Sequence, residues 1–327
     1  MELPRYFYRR YHHVISTVML ALVFAACAQP TGGVPSPTPT GRAVSPTRSP
    51  VAATVTPTVQ STPTPRPAPR RYTSRVILRG VGRPDDLALD LQGRLLFSDE
   101  VNGTISRINA DGSVTVLLRN LAGPEGLVVL SDGTIIIAEQ ETNRIVSLAP
   151  GAKTPAVLRA LPGKSSAANC KHGVDGIGFD PTTNSIIVPD SPTGEVYRMS
   201  VDGKTLTRLA SGMTRPTGAG VDDQGNIFIA DECGHAVWKI APGGKTMRIG
   251  GFGMPDDVIS DQHGNLLVID LDPRIHALIR LNLATGKRET LDSQGYIEPQ
   301  GLIMDQRGHI FVADDFANIV KEYTPQV

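Results

Sequence analysis

Six related segments follow one another along this chain, and this repetition constrains the fold more than any other feature. Each segment contains an apolar strand, a turn with Gly, Asp or Asn, and a second apolar strand that ends in an acidic residue. Further strands follow. The segments begin at Arg83, Gly123, Gly173, Arg215, Met254 and Glu298, with a period of 39–50 residues. Short apolar runs between turn residues indicate strands, and no helical period is evident. Four strands in a repeat of about 42 residues are typical of a propeller blade. The sequence predicts an all-β, six-bladed β-propeller.

The ends of the repeat region predict how the ring closes. The last segment reaches Val327 with three strands, whereas the stretch RVILRGVG, residues 75–82, has the form of a fourth strand. We therefore expect an N-terminal strand to complete the C-terminal blade, so that the propeller occupies residues 71–327. Closure of this kind removes exposed strand edges.

Two segments precede the propeller. Residues 1–27 combine a basic start with the 13-residue apolar stretch VISTVMLALVFAA, which is too short to span a membrane comfortably. The following VFAAC resembles a bacterial lipobox, and it predicts a lipoprotein signal peptide with a lipidated Cys27. An ordinary signal peptide cleaved near Ala26 and an uncleaved anchor are the alternatives. Residues 28–70 contain eleven Pro and no acid, which predicts a disordered Pro/Thr/Ser-rich linker. We expect an extracytoplasmic, membrane-anchored lipoprotein at the cell surface or in the periplasm.

Charge limits the classes of partner. The net charge of zero hides an excess of six acids over bases in residues 71–327. This excess argues against nucleic acid, which requires a basic surface, and it is compatible with cations or neutral ligands. We expect a monomer that contacts the membrane only through its N-terminal lipid.

One acidic position recurs in every blade. The second strand ends in a carboxylate in all six segments, at Asp99, Glu139, Asp190, Asp231, Asp270 and Asp314. A residue that every blade needs is assigned to the scaffold, because a carboxylate there can accept backbone N–H bonds and close a turn.

A second position varies among the blades. At the start of the first strands, which line the central channel of a propeller, stand Asp85, Glu125, Asp175, Thr217, Asp256 and Gln300. Crowded carboxylates repel unless a cation neutralises them, and mixed oxygen ligands suit Ca²⁺. The pattern predicts a divalent cation, with calcium favoured, held by Asp85, Glu125, Asp175 and Asp256, with further oxygens from Asp86 and Asp257. A solvated rim of turn residues is the alternative.

Two families resemble these repeats. The stretch PTGAGVDDQGNIFIADECGHAVWKI resembles an NHL repeat, and GVDGIGFDPTTNSIIVPDSPTGEVYR is similar to the gluconolactonase and regucalcin family. The second resemblance implies a divalent cation at the channel mouth, with Asp85 and Asp175 in the places of a family Glu and Asn. The family's next ligand is an Asp, where this chain has Thr217, and Asp256 of the following blade is the candidate replacement.

Cysteine and histidine residues flank the same mouth. Cys170 precedes the third blade and Cys233 lies in a turn of the fourth, so a disulfide between these neighbouring blades is expected for an exported domain. Two free thiols and a zinc site formed with His172 and His235 are the alternatives. Either histidine could act as a general base or be a solvated loop residue.

Two functions follow from these features. The acid ring favours a cation-dependent lactone or ester hydrolase, in which Asp175 or His172 accepts a proton. The absence of a recognisable catalytic motif favours a non-enzymatic NHL-type module that binds a surface protein or glycan.

Overall fold

The computed structural model describes residues 71–166, 168 and 170–326. The predicted signal peptide, Cys27 and the linker 28–70 lie outside the described residues. Strands and turns, without helices, form the described part, and it therefore contains no helix long and apolar enough to cross a membrane.

Six four-stranded antiparallel sheets form the blades of a β-propeller. Blade 1 contains β2 (Leu87–Leu89), β3 (Leu95–Asp99), β4 (Thr104–Ile108) and β5 (Val114–Leu118). Blade 2 contains β6 (Pro124–Val129), β7 (Ile135–Glu139), β8 (Arg144–Leu148) and β9 (Ala156–Ala160). Blade 3 contains β10 (Gly178–Asp180), β11 (Ser185–Asp190), β12 (Glu195–Ser200) and β13 (Leu206–Ala210).

The other three blades repeat this order. Blade 4 contains β14 (Pro216–Val221), β15 (Ile227–Asp231), β16 (Ala236–Ile240) and β17 (Thr246–Gly250). Blade 5 contains β18 (Pro255–Ser260), β19 (Asn265–Asp270), β20 (Ala277–Asn282) and β21 (Arg288–Asp292). Blade 6 contains β22 (Pro299–Met304), β23 (Ile310–Asp314), β24 (Ile319–Pro325) and, as its outer strand, β1 (Tyr72–Arg79).

The predicted closure by an N-terminal strand is confirmed. Strand β1 pairs antiparallel with β24, and Tyr72 lies opposite Pro325. The strand is displaced from the expected residues 75–82, because Gly80 and Gly82 adopt φ values of 70° and 72°. This left-handed conformation suits glycine and ends an extended strand, so the ladder lies on the N-terminal side of Gly80.

The core consists of six apolar layers, each between neighbouring blades. In one layer Ile136 of β7 and Ile186 of β11 belong to the same cluster, and both are fully buried. The second strands are buried on both faces, which explains their nearly continuous apolar sequences. Removing one such side chain costs about 2–5 kcal/mol, so packing between blades is a main source of the stability of the ring.

Candidate functional site

One face of the propeller gathers two sets of loops, and we call it the mouth face. It is formed by the loops that lead into the first strands and by the turns between the second and third strands. The six acids at the ends of the second strands join these two sets, because their carboxylates accept backbone N–H bonds from the loop that leads into the same blade. Examples are Arg83 N to Asp99 Oδ2 (2.8 Å), Gly163 N to Asp190 Oδ2 (2.9 Å) and Ile297 N to Asp314 Oδ2 (2.7 Å). These contacts agree with the scaffold role expected from the recurrence of the position.

The variable acids of the first strands converge on this face. Asp85, Glu125, Asp175 and Asp256 are all buried, with at most 8% of the residue exposed. Burial raises the pKa of Asp85, Glu125 and Asp256 well above the usual values, and the nearby Asp175 carboxylate raises each pKa further. The four predicted residues therefore share one region of low dielectric, where their charges repel.

Two of these acids form a tighter cluster with a third. The carboxyl groups of Asp85 and Glu125 interact directly, and a proton shared between them would relieve their repulsion in the absence of a cation. One oxygen each from Asp85, Glu100 and Glu125 lies within 4.8 Å of the other two. Oδ2 of Asp85 is buried and has no hydrogen-bond partner. We call these three residues the acid cluster, and it is the only such group of ligand side chains in the described part of the chain.

Asp175 has different partners. Its Oδ2 accepts hydrogen bonds from Arg215 Nη2 at 2.7 Å and from Gln140 Nε2 at 3.2 Å. Gln140 also donates to Glu125 Oε1 at 2.8 Å, and Arg215 forms a second buried ion pair with Glu232. The side chain of Arg215 thus supplies a fixed positive charge on the blade 4 side, while Gln140 links Asp175 to the acid cluster.

The side-chain oxygens of Asp86 and Asp257 join the first strands of neighbouring blades. Asp86 accepts the N–H groups of Leu87 and of Leu127 in the next blade, both at 2.7 Å. Asp257 likewise accepts the N–H groups of Val258 (2.7 Å) and Leu302 (2.9 Å). Each carboxylate therefore ties its own first strand to that of the following blade, whereas the sequence suggested that both would add oxygens to the mouth.

The remaining ring positions do not present ligands together. Thr217 Oγ1 donates to the backbone carbonyl of Asp256 at 2.7 Å, which fastens blade 4 to blade 5. Asp256 and Asp175 do not belong to the acid cluster, and their assignment as cation ligands stays a prediction. The six variable positions therefore do not form one set of ligands. Asp85 and Glu125 belong to the acid cluster beside blades 1 and 2, whereas Asp175 lies beside the ion pairs of Arg215 at blades 3 and 4.

The structure joins Cys170 and Cys233 in a disulfide, with Cα atoms 6.5 Å apart. Both sulfurs are used, so the alternative zinc site is not compatible with this structure. His235 has φ = 55°, and the residues equivalent to it in the other turns, Gly103, Asn143, Gly194, His276 and Asn318, are also left-handed. Its Nδ1 contacts the Gly253 carbonyl, so His235 serves the turn. His172 lies half-buried on the loop that leads into blade 3.

Two further positions in each blade contribute to the mouth, and the sequence interpretation did not use them. The residue after the scaffold acid is polar in five blades, at Glu100, Gln140, Ser191, Glu232 and Asp315. The residue two before the ring position supplies Arg83 and Arg215. Arg83 pairs with Asp315 at 2.6 Å. These positions also vary among the six blades, and this variation is the signal in the sequence that marks them.

A large cavity occupies the channel below these acids. It has a volume of about 1440 Å³ and is lined by the first strands and by turns between first and second strands, such as those containing Asp261 and Asp305. Asp86 and Asp257 line it, whereas Asp85, Glu125, Asp175 and Asp256 do not. The cavity therefore lies on the other side of the Asp86 and Asp257 layer from the candidate site.

Comparisons with known proteins identify the repeat and support the fold. Residues 213–240, in blade 4, match the NHL repeat. A gluconolactonase from Xanthomonas campestris is 16% identical with a TM-score of 0.63, over 78% of this chain and 90% of that chain. A putative gluconolactonase is 14% identical with a TM-score of 0.64, over 79% and 94%.

A third solved structure, virginiamycin B lyase from Staphylococcus aureus, is 17% identical with a TM-score of 0.57, over 73% of this chain and 79% of that chain. At these identities the likeness concerns the fold. The comparison with curated proteins gives no significant match. The chain is thus a six-bladed propeller with an NHL repeat in blade 4, similar in fold to gluconolactonases.

Proposed function

We propose that this protein is a divalent-cation-dependent hydrolase of lactones or esters, with its site at the mouth face. The observation that carries the proposal is the acid cluster, in which three carboxylates approach within 4.8 Å and Asp85 Oδ2 is buried without a partner. Such a group is stable when protons or a cation neutralise its charge. The similarity in fold to gluconolactonases supports the choice of substrate class.

The donors fit a hard cation. Asp85, Glu100 and Glu125 offer oxygen only, which is the ligand type that Ca²⁺ and Mg²⁺ take and that Zn²⁺ takes less often. Asp85 Oδ2 is buried without a hydrogen-bond partner, so this oxygen is available to a cation. We favour Ca²⁺, because it accepts irregular sets of mono- and bidentate carboxylates more readily than Mg²⁺.

The division of the mouth gives its residues different tasks. Asp85, Glu100 and Glu125 would hold the cation, and a cation bound there would polarise the carbonyl group of the substrate. Asp175 is held by Arg215 and Gln140, and both bonds use Oδ2. Its Oδ1 is thus available to accept a proton. The Arg215 guanidinium and the Gln140 amide fix the orientation of this carboxylate.

The reaction then needs two proton transfers, one from water to Asp175 and one from Asp175 to the departing oxygen. Asp175 Oδ1 accepts a proton from water while the water oxygen adds to the carbonyl carbon of the substrate. The bond between that carbon and the ring or ester oxygen breaks, and the departing oxygen takes the proton from Asp175. The products are a hydroxy acid, or an acid and an alcohol, and Asp175 returns to its charged form. His172 is the alternative proton acceptor.

The location completes the proposal. The lipobox-like VFAAC and the Pro-rich linker 28–70 support anchoring through a lipid on Cys27, with the propeller on the extracytoplasmic side. The net excess of six acids in residues 71–327 supports a neutral small molecule rather than a nucleic acid as the ligand, and we propose that the protein acts as a monomer.

The test joins metal content with activity. The purified protein is dialysed against buffer, analysed for bound metal, and heated with Ca²⁺ or with chelator. We expect about one Ca²⁺ per chain, a higher melting temperature with Ca²⁺, and hydrolysis of simple lactones or p-nitrophenyl esters that chelator abolishes. Protein with neither bound cation nor hydrolysis would contradict the proposal.

The NHL repeat in blade 4 favours a second candidate function. This repeat contains Thr217, a hydroxyl residue at the position where the resemblance implies a metal ligand. It also contains Arg215, whose guanidinium group is paired with Asp175. A non-enzymatic module for a surface protein or glycan would need no cation there. Stable binding of a surface component by protein that lacks both cation and hydrolysis would support this function instead.

A further inference from the structure

The exposed apolar side chains are unevenly distributed. Eight large ones are exposed in the described part of the chain. Leu91 lies on the face opposite the mouth, and Val116, Val157 and Met247 lie on fourth strands at the outer rim. The other four lie on mouth-face loops of two adjacent blades, and we call them the apolar arc: Val81 (46% exposed), Val101 (59%), Ile297 (42%) and Phe316 (36%).

The apolar arc lies on turns that also carry residues of the acid cluster or residues near it. Val101 directly follows Glu100, a member of the cluster, and Phe316 directly follows Asp315, whose charge raises the pKa of Asp85. The Arg83 guanidinium stacks on the Phe316 ring at 4.5 Å and pairs with Asp315 at 2.6 Å. The Gly80 N–H donates to the Asn318 carbonyl at 2.8 Å, which joins the loop of Val81 to the turn of Phe316.

Several hydrogen-bond donors in these turns are directed toward the scaffold acids. Asn102, next to Val101, donates its side-chain N–H to Asp99 at 2.8 Å, and its backbone N–H bonds the same carboxylate at 3.0 Å. Ile297 N and Ala317 N likewise donate to Asp314, each at 2.7 Å. These donors are engaged with the scaffold acids and are not directed toward a ligand over the apolar arc.

We infer that the apolar arc binds an alkyl or aryl group of the substrate, so that the enzyme prefers lactones and esters with an apolar substituent over sugar lactones. This inference rests on the proposed function and names its substrate class. A carbonyl group at the acid cluster would bring the adjacent substituent toward the turns that carry Val101 and Phe316. The polar part of the substrate then faces blades 3 and 4, where Lys164, Ser165 and Lys171 lie on the disulfide-linked loop.

The test compares lactones of increasing chain length in Ca²⁺-containing buffer. Rates are measured for γ-lactones with zero to six side-chain carbons and for glucono-δ-lactone. We expect kcat/KM to rise about two- to threefold for each added methylene, since a fully buried methylene gives about fourfold. We also expect glucono-δ-lactone to be a poorer substrate than the six-carbon lactone. A flat series, or preference for glucono-δ-lactone, would overturn the inference while leaving the hydrolase proposal intact.

Variants and a binding measurement separate the two proposals. Val101→Ser and Ile297→Ser should each reduce the ratio of long-chain to short-chain rates by at least about threefold, whereas Leu91→Ser, equally exposed on the other face, should leave this ratio unchanged. Calorimetry with the unreactive six-carbon alkyl lactam should show binding that Val101→Ser weakens by a similar factor. Lactam binding without any hydrolysis would support a binding site at the apolar arc and would contradict the hydrolase proposal. Absence of lactam binding would overturn the inference.

Discussion

Arg215 Nη2 lies 2.7 Å from Asp175 Oδ2, and both side chains are buried at the mouth of the channel. The same guanidinium pairs with Glu232. Removing one member of a buried ion pair leaves an uncompensated charge, which is more damaging than the pair is stabilising. Arg215 is therefore the residue on which the electrostatics of the blade 4 side depend.

Replacing Arg215 with Gln tests this dependence. We expect the free energy of unfolding of the cation-free protein to fall by about 3–5 kcal/mol, measured by urea denaturation. The matched control is Arg274→Gln, because Arg274 also pairs with an aspartate, Asp272, but its side chain is 84% exposed. An exposed pair contributes less than about 1 kcal/mol. Equal losses for the two variants would contradict the role given to Arg215.

Glu100 tests the position of the cation. Glu100→Gln removes one charged oxygen of the acid cluster, and we expect the affinity for Ca²⁺ to fall at least about tenfold. The measurement is the Ca²⁺-dependent rise in melting temperature. Glu289→Gln is the control, since Glu289 is a half-exposed partner of Arg280 on the outer rim. Unchanged affinity in Glu100→Gln would place the cation elsewhere.

Asp190 tests the scaffold acids. Its carboxylate accepts bonds from Asn143 Nδ2 (2.9 Å), Gly163 N (2.9 Å) and Thr193 Oγ1 (2.8 Å). Asp190→Ala should lower the free energy of unfolding by about 2–3 kcal/mol, because buried donors lose a charged acceptor. The loss should be the same with Ca²⁺ and with chelator. Asp223→Ala, at an exposed turn, should change little, and a loss confined to the Ca²⁺-bound protein would make Asp190 part of the site.

The disulfide predicts a specific response to reductant. Cys170 and Cys233 are 63 residues apart, and a loop of this length corresponds to about 4 kcal/mol in the chain-entropy model. The double variant Cys170→Ser/Cys233→Ser should be destabilised by that order and should no longer respond to reductant. Thiol titration of the denatured protein without reductant should detect neither cysteine. Two reactive thiols besides Cys27 would contradict the bridge.

The buried acids predict how stability changes with pH. Burial raises the pKa of Asp257 to about 7, so the native state binds this proton more tightly than the unfolded state does. The free energy of unfolding in chelator should therefore fall as the pH rises from about 4 to 7. Asp257→Asn should reduce this slope, whereas Asp223→Asn should retain it. Urea denaturation at pH 5, 6, 7 and 8 measures the effect, and stability that rises over this range in the wild-type protein would contradict it.

Much of the architecture was predictable from the repeat. Every blade repeats the same turn and strand pattern, so comparison of the six segments identified the ring closure, the scaffold acids and the variable position at the mouth. Strand ends were less well determined. The limits of β1 depend on the φ values of Gly80 and Gly82, which the apolar pattern of residues 75–82 did not reveal.

The partners within the mouth could not be predicted in the same way. Asp86 and Asp257 look like additional ligands in the sequence, but their oxygens accept N–H groups 41 and 45 residues away, in the next blade. The pairing of Arg215 with Asp175 spans 40 residues. Such contacts depend on how one blade faces another, which a pattern repeated within each blade does not determine.

Closure by β1 also affects the order in which the molecule can assemble. Arg75 Nε donates to Glu322 Oε2 at 2.7 Å across 247 residues of sequence. During synthesis β1 is complete long before β24, and its ladder partner does not exist until nearly the whole chain has been made. Contacts of such long range slow folding and leave strand edges exposed to aggregation. The sixth blade can therefore be completed only after β24 has been made and has paired with β1, and until then the blade has an open edge.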